Sequence, residues 1–293
     1  MEEKTFGPIR FIPGENQGRY PFCHSFYIED SGILIDPGSD RKRLDELRKT
    51  SRLDTVWLSH WHEDHFMHLD LFDGLPLYGS EDIEPMLSDL EIFIDAYGMG
   101  VESREDWRRY FLEKFHYRPR KIARYLKDGE IIHLDTMNVE VIGTPGHTCG
   151  HLAFYFREPK ILFMGDYALN QFGPWYGDLY SDIEETIASV DRLRKIPAKI
   201  WLISHDTGFF EESPEKVWDE YLNVITKRER KLLNLLDKPH TLENIIDAWI
   251  IYGKPREPET EYKLIEGGYM KKHLERLIGL GSVAMDGNRY YKV

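Results

Sequence analysis

Seven side chains in this sequence have the chemistry of metal ligands: His60, His62, Asp64, His65, His147, Asp166 and His205. Four of them fall in one run, His60-x-His62-x-Asp64-His65. Neutral imidazole and carboxylate are good donors to zinc and neighbouring first-row metals. Ligands at i and i+2 can share one ion, and the adjacent Asp64–His65 pair can turn to a second. A polar loop or a helix start is the other use for such a run, but the pattern is rare enough to favour metal. Taken alone, His147 or His205 reads as a hydrogen-bonded structural histidine, and it is the upstream cluster that makes ligands of them. Asp166 follows Gly165, where a turn would account for it. As a ligand, its carboxylate can bridge two cations about 3.5–4 Å apart. Asp36, in Asp36-Pro37-Gly38, reads equally as a turn residue or as a carboxylate that orients a ligand histidine. The expected cofactor is two divalent metal ions, zinc (Zn2+) first, with iron or manganese accepted by the same donors.

The elements that would position these residues are short strands. Gly32–Ile35 runs into Asp36, Thr55–Ser59 into His60, Asn138–Ile142 into His147, Lys160–Met164 into Asp166, and Lys199–Ser204 into His205. Each stretch is β-branched or aromatic and is bounded by Gly, Pro, Ser or Asp, as strands are. Rigid strands hold separations while the loops after them aim side chains at one edge.

Composition sets bounds on this reading. The 293 residues, 41% hydrophobic, suffice for one large domain and a small one. No apolar run approaches the length of a membrane span, so no membrane partner is expected. The N-terminus MEEKTFGPIRF does not read as a secretory signal. With Cys23 and Cys149 as the two cysteines, a disulfide framework is not expected, and the cytoplasm is the simplest compartment. Net charge is −13, and residues 225–293 carry 13 Lys+Arg against 10 Asp+Glu, leaving an acidic body. An acidic body repels polyanions, which argues against a nucleic-acid substrate.

Taken together, these residues resemble the metallo-β-lactamase superfamily. Asp36, the His60-x-His62-x-Asp64-His65 signature, His147 in Gly143-Thr144-Pro145-Gly146-His147-Thr148, Asp166 after Gly165, and His205 match its five motifs in order over about residues 5–210. The resemblance implies an α/β (α+β) fold, an αββα sandwich with the site at one edge of two sheets. It also implies that His60, His62 and His147 hold one metal and Asp64, His65 and His205 the other, with Asp166 bridging. An Asp at 166, where lactam-cleaving members commonly have Cys, places the chain on the glyoxalase II and ribonuclease Z side. Three positions depart from the family pattern. Asp206 follows His205 where Gly is common, His151 stands where Ser is frequent, and Leu169 replaces the Tyr of some lactonases. No β-CASP insert is evident.

The remaining chain divides at about 224, giving a catalytic domain over 1–224 and a small domain over 225–293. A helical insertion is expected at about 81–128, from Ile83, Met86, Leu87, Leu90 and Ile94, then Trp107, Tyr110, Phe111, Phe115 and Tyr125 beyond Gly98 and Gly100. It reads as a lid or wall, or equally as helical packing or a homodimer contact. Trp175 and Tyr176, soon after Asp166, are expected to wall the substrate pocket. Helices at Arg228–Leu236, Thr241–Ile251 (capped by Thr241) and Glu261–Ile278, then a hairpin turning at Asp286-Gly287, resemble a winged-helix module. Lys263, Lys271, Lys272 and Arg276 would be its nucleic-acid contacts, although packing or dimerisation is the favoured use at a charge of only +3.

The expected reaction is metal-assisted hydrolysis. Two ions sharing a water lower its pKa towards 7, and the hydroxide, held and oriented by the catalytic Asp64, attacks a thioester or small ester. A small-molecule acyl substrate ranks first. An endoribonuclease or phosphodiesterase acting on RNA is the alternative, and a di-iron redox enzyme is a further one. Cys149 is expected to be a small buried residue and not a nucleophile.

Overall fold

The computed structural model describes residues 1–98 and 104–293. The first sheet contains β1 (Lys4–Phe6), β2 (Ile9–Ile12), β3 (Ser25–Ile28), β4 (Ile33–Ile35), β5 (Thr55–Trp57), β6 (Leu77–Gly79) and β7 (Arg124–Tyr125), in that spatial order. Neighbours are antiparallel up to β4 and parallel from there to β7. Helix α1 (Arg41–Thr50), started by Asp40 accepting from the amides of Lys42 and Arg43, makes the β4–β5 crossover. The one-turn α2 (Glu63–Phe66) follows β5 and contains Asp64 and His65.

The second sheet has the order β13-β12-β11-β10-β9-β8. Its strands are β8 (Ile131–His133), β9 (Asn138–Gly143), β10 (Leu152–Phe156), β11 (Ile161–Phe163), β12 (Ile200–Leu202) and β13 (Phe209–Phe210). All five strands expected before the ligand residues are present, as β4, β5, β9, β11 and β12.

Each strand of Ile33-Leu34-Ile35 type is apolar at every position because both faces of its sheet are covered. Ile33, Ile35, Trp57, Phe26 and Phe11 share one core with Val139, Val141, Phe154, Phe163 and Leu202 of the opposite sheet. Leu34 and Val56 project the other way and join Leu44 and Leu47 of α1. Outside the second sheet, Ala153, Tyr155 and Leu162 meet the helices that follow β11. The layers are therefore helix, sheet, sheet, helix: the αββα sandwich.

The insertion folds as a short 3-10 turn at Glu81–Ile83, then α3 (Glu84–Ser88), α4 (Leu90–Ala96) and α5 (Arg104–Lys114). Ile83, Met86, Leu87, Ile94, Phe111 and Phe115 are buried against the α1 face. The insertion is not helical throughout. Arg124 and Tyr125 form β7, which extends the first sheet, so Tyr125 lies on an edge strand and is 38% exposed. Residues 99–103 of the insertion, including Gly100, lie outside the described residues.

Beyond β11 come α6 (Ile183–Leu193) and α7 (Glu215–Leu235). The expected boundary at 224/225 falls inside α7, which is continuous for 21 residues. What changes there is the packing partner. Trp218 and Tyr221 belong to the core under the second sheet, whereas Ile225 and Leu232 belong to a core with the last helices. Helix α8 (Leu242–Ile246) is shorter than the Thr241–Ile251 expectation, and Thr241 caps it with a reciprocal bond to Asn244. Helix α9 (Glu259–Gly279) leads to β15 (Val283–Asp286) and β16 (Arg289–Lys292). Those two strands and β14 (His240–Thr241) form a sheet of order β14-β16-β15.

Candidate metal centre

The loops that leave β5, β9, β11 and β12 bring the seven expected ligands into two adjoining groups. In the first, His60 Nε2, His62 Nδ1 and His147 Nε2 lie between 3.0 and 3.2 Å from one another. Asp166 Oδ2 faces them, 3.3 Å from His147 Nε2 and 3.9 Å from His60 Nε2. Its other oxygen, Oδ1, faces the second group, 2.9 Å from His65 Nε2 and 3.2 Å from His205 Nε2. Asp64 completes that group, with Oδ2 3.3 Å from His205 Nε2 and Oδ1 3.9 Å from His65 Nε2.

For four of the five rings, a partner on the far side fixes which nitrogen carries a proton, while His147 Nδ1 is buried without one. Ser59 Oγ donates to Asp36 Oδ2 at 2.6 Å, so it accepts from His60 Nδ1 at 2.9 Å. His62 Nε2 donates to Asp178 Oδ2 at 3.1 Å, His65 Nδ1 to Asp36 Oδ2 at 2.9 Å, and His205 Nδ1 to the Gly18 carbonyl at 2.5 Å. With those protons placed, His60 Nε2 and His62 Nδ1 meet 3.1 Å apart as bare lone pairs, which repel unless a cation lies between them. His65 Nε2 and Asp166 Oδ1 are both buried without a hydrogen-bond partner although they face each other. The residues present therefore fit divalent cations in both donor set and orientation.

Asp36 is placed by an unusual backbone. Its φ is +49°, and its Oδ1 accepts from the Ser59 amide at 2.8 Å. The turn lies flush under the ligand loop, since a Cβ on Gly38 would sit 1.7 Å from the Asp64 carbonyl oxygen. Only glycine fits there. Thus Asp36 is a turn residue and also orients His60 and His65.

Without metal, protons compete for the same seats. Burial holds His60 and His147 well below the usual histidine range. At His65 and His205 burial acts the same way, but the charges of Asp166 and Asp64 outweigh it and push His205 up to about 9. Burial would raise Asp166, but the surrounding histidines, His205 first, hold it well below the carboxylate range. A cation entering the Asp64–His65–His205 group below pH 9 must displace a proton from His205. Its apparent affinity should therefore rise about tenfold per pH unit for each proton released, over roughly pH 6 to 8. Calorimetric titration in buffers of differing ionisation enthalpy counts those protons, and a pH-independent affinity would contradict the arrangement.

The two expected pocket residues part company. Trp175 stands 6.4 Å from the His62 ring, edge to face. Tyr176 is not a pocket wall. It is fully buried, with its hydroxyl 3.0 Å from His273 Nε2 and 2.9 Å from Arg228, because the following turn folds it under α9. Tyr97 of the insertion stacks on His62 at 5.5 Å, and Trp61 lies 4.6 Å away on another side. Glu63, buried between the two ligand groups in sequence, accepts from the hydroxyls of Tyr97 and of the exposed Tyr20. Sequence reading missed Ser59, Asp178, Tyr97 and Glu63. Ser59 and Glu63 adjoin the ligand run, but nothing near residue 178 marks it.

The departures from the family pattern also find their places. His151 is fully buried, donates to Thr144 Oγ1 at 2.8 Å and accepts from the Asp166 amide at 3.2 Å. Burial lowers its pKa to about 3, and it supports Asp166 instead of meeting substrate. Asp206 accepts from Asn170 at 2.8 Å and Arg19 at 3.3 Å, and so joins two rim loops. Leu169 is buried in the core under the second sheet. Cys149 is half-buried, and burial pushes its thiol up to about 12, which does not suit a nucleophile. A third group, His68, Asp70 and His116, has ligand spacing. There the Arg41 guanidinium already pairs with both Asp70 oxygens at 2.7–2.8 Å, so the cationic seat is filled by protein.

Comparison with known proteins agrees with this geometry. A beta-lactamase-like protein 2 homolog from Caenorhabditis elegans is 26% identical over 80% of this chain and 72% of its own length. A hydroxyacylglutathione hydrolase from Haemophilus influenzae is 28% identical over 67% of this chain and 89% of its own. An atrochrysone carboxyl ACP thioesterase from Aspergillus fumigatus is 26% identical over 82% of this chain and 66% of its own. The crystal structure of a metallo-beta-lactamase family protein from Thermus thermophilus superposes with a TM-score of 0.74 at 23% identity, covering 98% of this chain and 99% of that one. The profile of the metallo-beta-lactamase superfamily matches residues 19–205, all seven donor residues included, and the chain belongs to that superfamily.

Proposed function

We propose that this protein is a dinuclear metal-dependent hydrolase of acyl thioesters or small esters. The observation that carries the reading is Asp166, whose two carboxylate oxygens each face a separate group of imidazole nitrogens. His60, His62 and His147 would hold one divalent ion, Asp64, His65 and His205 the other, with Asp166 between. Such a pair supplies a Lewis acid for the electrophile and a water acidic enough to lose its proton near neutral pH. Asp64, a donor of the second group, would also orient the attacking water and take up its proton.

Two features support a thioester with an apolar acyl part. A thiol leaving group departs as thiolate near its pKa of about 8.5 and so needs little help from an acid. Tyr97 and Trp175, both partly exposed, flank His62 with aromatic surface, which suits an apolar acyl chain. The relatives named as a hydroxyacylglutathione hydrolase and an ACP thioesterase point the same way. RNA is not favoured. Of the four basic residues considered for it, Lys263 pairs with Asp247 and Glu259, Lys272 reaches the Leu179 carbonyl, and Arg276 pairs with Glu184 and Glu229.

The test is turnover of acyl-CoA, S-acylglutathione and nitrophenyl ester panels beside labelled RNA, using protein loaded in turn with zinc, manganese and iron. Thioester cleavage with kcat/KM of about 10⁴ M⁻¹s⁻¹ or more is expected. Cleavage of RNA with no thioester turnover would refute the substrate assignment.

A further inference from the structure

The C-terminal helices clamp the loop that follows Asp166, and that loop returns to the metal centre. Arg228 of α7 is buried, and no carboxylate pairs with it among the described residues. Its guanidinium donates to the carbonyls of Phe172 at 2.7 Å and Pro174 at 3.4 Å and to the Tyr176 hydroxyl at 2.9 Å. It also lies over the rings of Phe172, Tyr176 and Tyr269, at 4.9, 5.6 and 5.0 Å. From α9, His273 meets the Tyr176 hydroxyl, Lys272 Nζ donates to the Leu179 carbonyl at 2.9 Å, and Gly268 packs on Gly177. A Cβ on Gly268 would stand 2.2 Å from the Gly177 oxygen, so α9 sits on the loop as closely as backbone allows.

Between those clamps the loop presents two side chains to the site. Trp175 stands edge-on to His62, and Asp178 accepts from His62 Nε2 at 3.1 Å. We infer that Arg228 is a positioning residue, and that the C-terminal module serves the metal centre by holding loop 172–179 so that Asp178 fixes the His62 ring. A buried cation with no carboxylate in direct contact is costly, and it is retained here where planar, multidirectional donation is the geometry needed. Lysine offers one charge point and cannot reach two carbonyls and a hydroxyl on differently placed groups. The same arrangement explains why Lys272 is not free for a nucleic-acid role. The inference rests on His62 being a ligand.

The experiment measures zinc stoichiometry and affinity by competition with a chromophoric chelator, with the visible spectrum of the cobalt-loaded protein as a second readout. Asp178→Asn should weaken one of two equivalents by about 10- to 100-fold, the effect usual for a partner behind a ligand histidine. Arg228→Met should weaken the same equivalent by about tenfold and shift the cobalt spectrum, with Arg228→Lys intermediate. The double variant should be no weaker than Asp178→Asn alone, since both act through one ring. Melting temperature monitors folding. If Arg228→Met does not fold, Lys272→Ala carries the test, because it releases the loop without opening the core. Wild-type affinity for both equivalents in a folded Arg228→Met, or losses that multiply in the double variant, would overturn the inference. A wild type that takes up no metal would refute the ligand reading itself, and this inference with it.

Discussion

Replacing His62 with alanine is expected to leave about one bound metal equivalent or fewer and to lower kcat/KM by at least ~10³-fold, a loss of about 4 kcal/mol of transition-state stabilisation. His62 sits at the centre of the first group, with Nδ1 within 3.1 Å of both His60 and His147 nitrogens. Deleting it leaves two nitrogens and one oxygen of Asp166, too few for a closed site and without the orientation that Asp178 provides. It also leaves the buried Asp178 carboxylate with a missing donor, although the Tyr180 amide still reaches its other oxygen at 2.8 Å. Some loss of stability therefore accompanies the loss of metal. His62→Gln, which refills part of the volume, separates the two effects, because it should melt closer to wild type and still bind poorly. Elemental analysis after gel filtration reads the stoichiometry, and initial rates on the best thioester read the activity. A variant with two metals and near wild-type turnover would end the dinuclear hydrolase proposal.

The strands and the candidate ligands were legible in sequence for one physical reason. A strand buried on both faces must be apolar throughout, so its end is marked by the first polar residue, and here that residue or one close behind it is a candidate ligand or, after β4, the carboxylate that orients two of them. Ile33–Ile35, Thr55–Trp57, Ile161–Phe163 and Ile200–Leu202 all show it. What stayed hidden depends on contacts distant in sequence. Asp178 lies 116 positions from His62, in a loop with no periodicity, and only the fold brings them to 3.1 Å. Tyr97 comes from the insertion, where an aromatic stripe reads the same whether it packs a core or stacks on a ligand. Tyr176 was misplaced because proximity in sequence to Asp166 says nothing about which way a turn faces. Continuity of α7 across 224/225 was invisible because the change in composition there reflects a change of neighbours and not a break in the chain. The short α8 has the same kind of cause. Its cap was readable, whereas its end is followed by Trp249 at a φ of +50°, which no local propensity predicts.

Asp36→Asn is expected to weaken both metal equivalents, by about 10- to 100-fold each, and to destabilise the metal-free protein by about 1–3 kcal/mol. The reason is that one carboxylate serves both groups. Its Oδ2 accepts from His65 directly and from Ser59 Oγ, which in turn accepts from His60. An amide has the same shape but a single acceptor oxygen. Whichever way it turns, a donor then faces a donor, either at the Ser59 amide or at the pair formed by Ser59 Oγ and His65 Nδ1. Relief at His65 requires its proton to move to Nε2, the nitrogen that faces Asp166, and a protonated nitrogen cannot ligate. The substitution also decides between the two readings of Asp-Pro-Gly. Asparagine tolerates a left-handed backbone as well as aspartate does and makes the same local turn bonds. A residue that only shaped the turn at φ +49° would therefore accept it with little change in metal binding or melting temperature. Loss at one equivalent alone would place the defect behind a single histidine, as expected for Asp178→Asn. Loss at both, measured by the same chelator competition, is the outcome that only a shared anchor for His60 and His65 produces.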